Sequence, residues 1–313
     1  MKKDEYRNGL LEQLDTIFSE VSKMKNLSII LDKVWRDTIQ EEIIQADLEP
    51  VFKSDKAWMF FELIHWLRGA GWFEEGQKLL FERKESELSN GQKMALAFLG
   101  PDPLKVLLPV LEKRLNSYFT SGLNSQLLKD KFNLLIKNRF SKAFFNYLFE
   151  ILALGSFSSC GLLKGIEIPV GTQGSTFDGL IEIDCRSIYT EVTLTTQDIL
   201  SPFPGIHSAS PDVLYNQVLY KIEKKVADSR QIALVKSSPS LLVIGRNPRG
   251  ADQTISDLVI KNCFDNSKFQ KLSGVIVSDS WKFFDAQFYK GTNPEIEFSS
   301  NEIDQIKSCL CSE

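Results

Sequence analysis

Apolar residues recur every three to four positions in the first part of the chain and then give way to short runs with strand-like alternation. Leu10, Leu14, Ile17, Phe18 and Val21 fall on one side of a helix predicted over residues 6–24, and the same pattern continues over 27–46. Asp55 is a candidate N-cap for a helix over 56–68 that ends at Gly69-Ala70-Gly71. Further helices are expected over 73–87, 91–99 and, after Pro101 and Pro103, over 104–119. The stretch LRGAGWFEEGQKLLFE reads as one helical hairpin, but no second copy follows at a fixed period. Trp58, Phe61, Trp66 and Trp72 read as core. Residues 1–125 are predicted to form an all-α domain.

Beyond it the expected fold class is α+β or α/β. A long helix is predicted from 125 to 154. Three β-rich runs follow, at 166–170, 176–184 and 187–195, the last two joined by a tight connection at Cys185-Arg186. Pro202, Pro204 and Gly205 form a loop. Pro211 suits the first turn of a helix, here expected to reach residue 231. SLLVIG (240–245) is a buried-strand pattern, 251–264 an amphipathic helix, GVIVS (274–278) another strand and 286–289 a further short one. The order α-β-β-β-α-β-α-β implies a mixed central sheet with helices on both faces, over residues 126–313.

Composition narrows the chemistry. Hydrophobic residues at 43% and charged residues at 25% exclude a disordered chain. No apolar run reaches the roughly 18 residues that span a bilayer, and Asn146 and Glu150 interrupt the longest, 144–154. The first ten residues lack the apolar core of a secretory signal, so no membrane partner and a cytoplasmic location are expected. Five dispersed cysteines point to reduced thiols. With only His65 and His207 in the chain, a Cys/His zinc site and a histidine-centred triad are both disfavoured, and catalysis must rest on carboxylates. The net charge is −4, with 21 basic and 21 acidic residues over 1–140 and 16 and 20 over 141–313, so neither half is a basic module. Lys129, Lys131, Lys137, Arg139 and Lys142 make a local basic strip that could meet nucleic acid or, on the plainer reading, form a solvated helix face.

Three acidic residues stand out against this order: Glu150 on the helix before the sheet, Asp178 at the start of the second run and Glu191 inside the third. A hairpin would make Asp178 and Glu191 cross-strand neighbours. Carboxylates that close repel unless a cation lies between them, and hard oxygen ligands suit Mg²⁺. Glu182 and Asp184 share strand parity with Asp178 and either face the same site or form the solvated end of the hairpin. Gly171-Thr172-Gln173-Gly174-Ser175 is glycine-rich but lacks the lysine and helix of a P-loop. Arg246 and Arg249, in a loop after a strand, either grip phosphate or belong to an ordinary polar loop.

These residues resemble the PD-(D/E)xK, or restriction-endonuclease-like, nuclease superfamily, over about residues 140–290. The resemblance implies an αβββαβ core and Mg²⁺- or Mn²⁺-dependent cleavage of nucleic acid, with DNA the expected form, by an enzyme that often works as a homodimer. Asp178 and Glu191 would hold the metal and Glu150 would assist. Two positions depart from the pattern. Phe177 precedes Asp178 where the family has proline, and Thr193 stands where it has lysine. A threonine hydroxyl supplies no positive charge. The following helix offers Gln217, Lys221 and Lys225 as a stripe at i, i+4, i+8. Lys221 is the expected substitute, Gln217 and Lys225 are accessory, and the other reading leaves these lysines solvated. The alternative function is an inactive relative kept as a binding or scaffold module.

Overall fold

The computed structural model describes residues 3–45, 103–123, 125–141, 143–170, 175–194, 211–226, 232, 237–246, 259–263, 269, 272–279, 286–291 and 296–311. The helices predicted between 46 and 102, the loop at Pro202-Pro204-Gly205, Arg249 and the side chain of Arg246 lie outside the described residues. No described helix is long and apolar enough to cross a membrane. The chain divides into two compact units, Met1–Lys113 with Lys137–Lys142, and Arg114–Ile136 with Ala143–Glu313.

In the first unit, α1 (Lys3–Val21), the single turn α2 (Leu27–Ile30) and α3 (Lys33–Gln45) precede the start of α4 (Pro103–Thr120). The pattern over 27–46 forms two helices rather than one. Asp32 interrupts it, because its carboxylate accepts the Trp35 N–H at 2.8 Å and caps α3. Trp35 is fully buried with Leu14, Ile39 and Ile43, and its indole donates to the Arg139 carbonyl at 2.9 Å.

The second unit holds α5 (Ser125–Lys137), α6 (Ala143–Ser159), six strands, α7 (Pro211–Val226) and α8 (Ser300–Cys311). The long helix expected from 125 to 154 is two helices. Asn138 and Ser141 break it, the Ser141 hydroxyl donating to the Asn138 carbonyl at 3.0 Å. Such side chains offer the backbone an alternative to continuing the helix. Ser299 and Glu302 start α8 with a reciprocal capping box, each accepting the other's backbone N–H, at 3.2 and 2.7 Å.

The strands are β1 (Leu163–Val170), β2 (Ser175–Ile183), β3 (Arg186–Leu194), β4 (Ser240–Arg246), β5 (Gly274–Asp279) and β6 (Gln287–Lys290), in that spatial order. β1, β2 and β3 form an antiparallel meander, β3, β4 and β5 run parallel, and β6 returns antiparallel, so the sheet is mixed as the element order implies. The turn between β2 and β3 is Asp184-Cys185, one residue earlier than expected, with Ile183 paired to Arg186. Both turn residues have left-handed backbones (φ 51° and 62°), the requirement of a type I′ hairpin.

Alternating residues of β4 show how the sheet is covered. Leu242 and Ile244 pack in a core with Ile222 of α7, Val259 and Ile260. On the opposite face Gly245 meets the Phe149 ring of α6 so closely that a Cβ there would lie 2.5 Å from it. The sheet therefore lies between α6 and α7. Most of α6 is buried, including Phe144, Phe149 and Phe157.

Candidate active site

β2 and β3 part company at the acidic residues. The β2–β3 ladder ends at Gly179↔Thr190, so Asp178 and Glu191 occupy the next positions along the two strands. There the Asp178 carboxylate, rather than a backbone carbonyl, accepts the Val192 N–H at 2.8 Å. Asp178 thus closes the ladder with a side chain, and the rest of β3 continues beside β4, where Glu191 lies opposite Leu242. On the other side of β2, Glu167 falls between the pairs Ile166↔Gly179 and Ile168↔Phe177, and so lies across from Asp178. Its backbone is left-handed (φ 51°), unusual for a non-glycine residue inside a strand.

Helices bring the remaining groups. Glu150 is the only charged residue of α6. One oxygen each from Glu150, Glu167 and Asp178 lie within 4.8 Å of one another. Lys131 of α5 contacts Glu150 and lies 2.6 Å from Glu167 Oε1, while the Thr176 hydroxyl donates to Glu167 Oε2 at 2.8 Å. Lys225 of α7 contacts Glu191 Oε2 and lies 4.0 Å from Asp178 Oδ2. Glu191 is fully buried, and its Oε1 accepts no hydrogen bond among the described residues.

Burial and like charge dominate the electrostatics. Burial, with Asp178 nearby, pushes the Glu150 carboxyl up to about 7 against the pull of Lys131. The same two causes push Glu191 up to about 8, with Lys225 opposing. For Lys131 burial works against the charged form, but Glu150, Asp178 and Glu167 outweigh it and the net shift is upward. Lys225 is raised likewise, Asp178 and Glu191 outweighing burial. Burial also acts to raise Glu167, but Lys131 and the Thr176 hydroxyl win and hold it below the usual range.

The sequence-level candidates divide clearly. Glu150, Asp178, Glu191 and Lys225 come together. Gln217 and Lys221 lie on α7 by backbone, but their side chains are outside the described residues. Thr193 is half-buried on β3, paired with Ile244. Glu182 and Asp184 are exposed at the turn end of the hairpin. Arg246 ends β4 beside Asp279.

Two residues of the cluster were not singled out from the sequence. Lys131 belongs in sequence to the basic strip, yet it is buried between Leu128 and Leu135, which stand at i−3 and i+4 from it on the apolar stripe of α5. That spacing was a usable signal. Glu167 gave none, since a glutamate alternating with Ile166 and Ile168 reads as the solvent side of an edge strand.

The donor set fits a hard divalent cation: the grouped atoms of Glu150, Glu167 and Asp178 are all carboxylate oxygens, and a buried Glu191 oxygen has no hydrogen-bond partner among the described residues. An ion that binds oxygens at about 2.1 Å holds opposite ligands roughly 4.2 Å apart. Adjacent ligands lie roughly 3.0 Å apart and only one pair of three can be opposite, so the cluster, whose oxygens lie within 4.8 Å of one another, has to contract to grip an ion. Fold and site together define a mixed α+β protein with a buried acid–lysine cluster at a strand fork. No family model matches the chain, and no curated protein or solved structure matches it significantly.

Proposed function

We propose that this protein is a divalent-metal-dependent nuclease of the PD-(D/E)xK type, hydrolysing phosphodiester bonds of nucleic acid, with DNA the expected substrate. The observation that carries this reading is Lys225. A site of this kind needs positive charge close to the glutamate of its third strand, Thr193 has none to give, and the ammonium of Lys225 lies against Glu191 and 4.0 Å from Asp178.

Asp178 and Glu191 would hold the ion with Glu150 in support, and Mg²⁺ or Mn²⁺ there would polarise the phosphate and lower the pKa of a bound water. The chain's own contribution is positional and electrostatic. The Val192 N–H fixes one oxygen of Asp178, so that carboxylate meets the substrate side in one orientation. Lys225 donates toward the phosphate oxygens where negative charge grows during cleavage. Burial of Glu191 within β3 keeps bulk water from competing for its contact with Lys225.

A second reading, the inactive binding module, draws on one specific observation. Lys131 and Lys225 already pair with Glu150, Glu167 and Glu191 from within, as in a purely structural cluster. Cleavage of plasmid, linear and single-stranded DNA and of RNA with Mn²⁺ or Mg²⁺ separates the two. The nuclease reading expects cleavage that EDTA and Asp178→Asn both abolish. Absence of cleavage on every substrate, with no effect of Mn²⁺ on thermal unfolding, would leave the structural cluster.

A further inference from the structure

We propose that Glu167 is a direct ligand of the divalent cation and that Lys131 competes with the ion for it, the protein's own ammonium group standing where the ion would bind. This inference rests on the metal-dependent reading above and extends it to residues outside the motif.

Glu167 comes from β1, a strand that contributes nothing to the Glu150, Asp178, Glu191 set. Its position across from Asp178 places the two carboxylates side by side on neighbouring strands, and with Glu150 their oxygens already fall within 4.8 Å. Both oxygens of Glu167 are engaged: Oε2 by the Thr176 hydroxyl and Oε1 by Lys131. The hydroxyl is neutral and compatible with a carboxylate that also binds an ion. The ammonium is not, because it bridges Glu150 and Glu167 at the place a cation would occupy, and like charges there repel.

Lys131 is held in that place by packing. Its side chain is 8% exposed, and Leu128, Phe132 and Leu135 bury the same face of α5. An independent observation shows that the two lysines do not complete the cluster. Glu191, fully buried and paired to Lys225 through one oxygen, leaves the other without a hydrogen bond among the described residues. With all four carboxylates ionised, two ammonium groups leave two negative charges over, a charge that one divalent ion balances in place of the protons that the raised Glu150 and Glu191 otherwise hold. The geometry thus provides three oxygens for the ion, and a resident cation that has to give way when the ion arrives.

The test is calorimetric titration of Mn²⁺ into the full chain, with Mn²⁺ electron paramagnetic resonance as a second measure of bound ion. Circular dichroism checks the fold of every variant. Wild type, Asp178→Asn, Glu167→Gln and Lys131→Met are compared. Glu167→Gln should weaken Mn²⁺ binding by about tenfold or more, and Lys131→Met should strengthen it by a similar factor. If Lys131→Met does not fold alone, recovery of its circular dichroism on adding Mn²⁺ gives the same answer, and no recovery overturns the proposal. Binding that Asp178→Asn abolishes but Glu167→Gln and Lys131→Met leave unchanged overturns this inference while sparing the metal-dependent reading. Weaker binding by Lys131→Met also overturns it, since Lys131 would then support the site rather than compete. No Mn²⁺ binding by any of the four proteins removes both.

Discussion

Lys225 and Lys221 are one helical turn apart on α7, and Lys225 is the one described at the carboxylates. The face of α7 that meets the sheet is set by Ile222, which is fully buried, with Leu219 packed beside it and Tyr220 turned 59% to solvent. Lys225 is three residues beyond Ile222, so it emerges at the margin of the buried face and reaches Glu191. If the protein cleaves nucleic acid, Lys225→Met is expected to lower kcat by ~10²-fold or more with substrate binding nearly unchanged, the signature of a contact made in the transition state. Lys221→Ala is the matched control and should do less. Restoring positive charge on the strand with Thr193→Lys in the Lys225→Met protein should recover part of the loss. Single-turnover cleavage of the three variants checks the order, and equal rates for Lys225→Met and wild type would remove this lysine from the mechanism.

At the level of elements, the height of α6 above the sheet places Glu150, and a missing side chain sets that height. Gly245 lets the Phe149 ring lie directly on β4, with three ring atoms 2.5–2.8 Å from where a Cβ would be. Gly245→Ala forces the ring and its helix away. The expected result is a loss of ~1–3 kcal/mol of stability in urea, as for overpacked cores, together with weaker Mn²⁺ binding because Glu150 is the next residue along α6. The hairpin turn offers the opposite case. Cys185 is exposed and held at φ 62°, a conformation that costs a non-glycine residue about 1–2 kcal/mol. Cys185→Gly should therefore raise the urea midpoint. Asp184 should be kept, since its carboxylate accepts a hydrogen bond from Asn301 at 2.6 Å. A lower midpoint would show that the Cys185 side chain does more than fill a turn.

These elements also show which parts of the structure could be read from the sequence. Alternation and β-branched runs located the strands of the mixed sheet to within a few residues, because each strand packs a face whose period is two. Helix breaks are less legible. The Asp32 carboxylate caps the start of α3 by accepting the Trp35 N–H, and the Ser141 hydroxyl donates to the Asn138 carbonyl where the next break falls; apolar neighbours hide both breaks in a periodicity pattern. Glu150, Asp178 and Glu191 were visible as acidic residues in β-rich or apolar surroundings. Glu167 and Lys131 were not, for different reasons. Glu167 joins the cluster through the β1–β2 register, a property of two strands that neither strand shows alone. Lys131 lies on the apolar stripe of its own helix, but a cluster of lysines in sequence masked that spacing.

For the molecule as a whole, the cluster predicts an uncommon dependence of stability on pH. Acid groups that gain partners on folding usually have lowered pKa values and stabilise the protein as pH rises. Here burial raises Glu150 to about 7 and Glu191 to about 8, from an ordinary 4.5. Between these limits the folded protein binds more protons than the unfolded chain, so the free energy of unfolding falls as pH rises. The stabilisation is fully present below pH 4.5 and is lost as pH passes through about 7 and 8. Glu167 works the other way: held low by Lys131, it stabilises the fold above the usual carboxylate range and loses that effect only in acid. Lys131 and Lys225 are raised, so their contribution persists until alkaline pH. Across neutrality the two buried glutamates therefore dominate, by an amount on the order of a few kcal/mol. In EDTA the urea midpoint should be lower at pH 8.5 than at pH 6, and Glu191→Gln should flatten the difference, since a glutamine has no proton to lose. Saturating Mn²⁺ should reverse the trend. An ion binds carboxylates only after their protons leave, so its stabilisation grows with pH where the metal-free protein weakens. A metal-free midpoint equal at the two pH values, or higher at 8.5, would mean that the carboxylates of the strand fork are ionised and satisfied at neutral pH without any further cation.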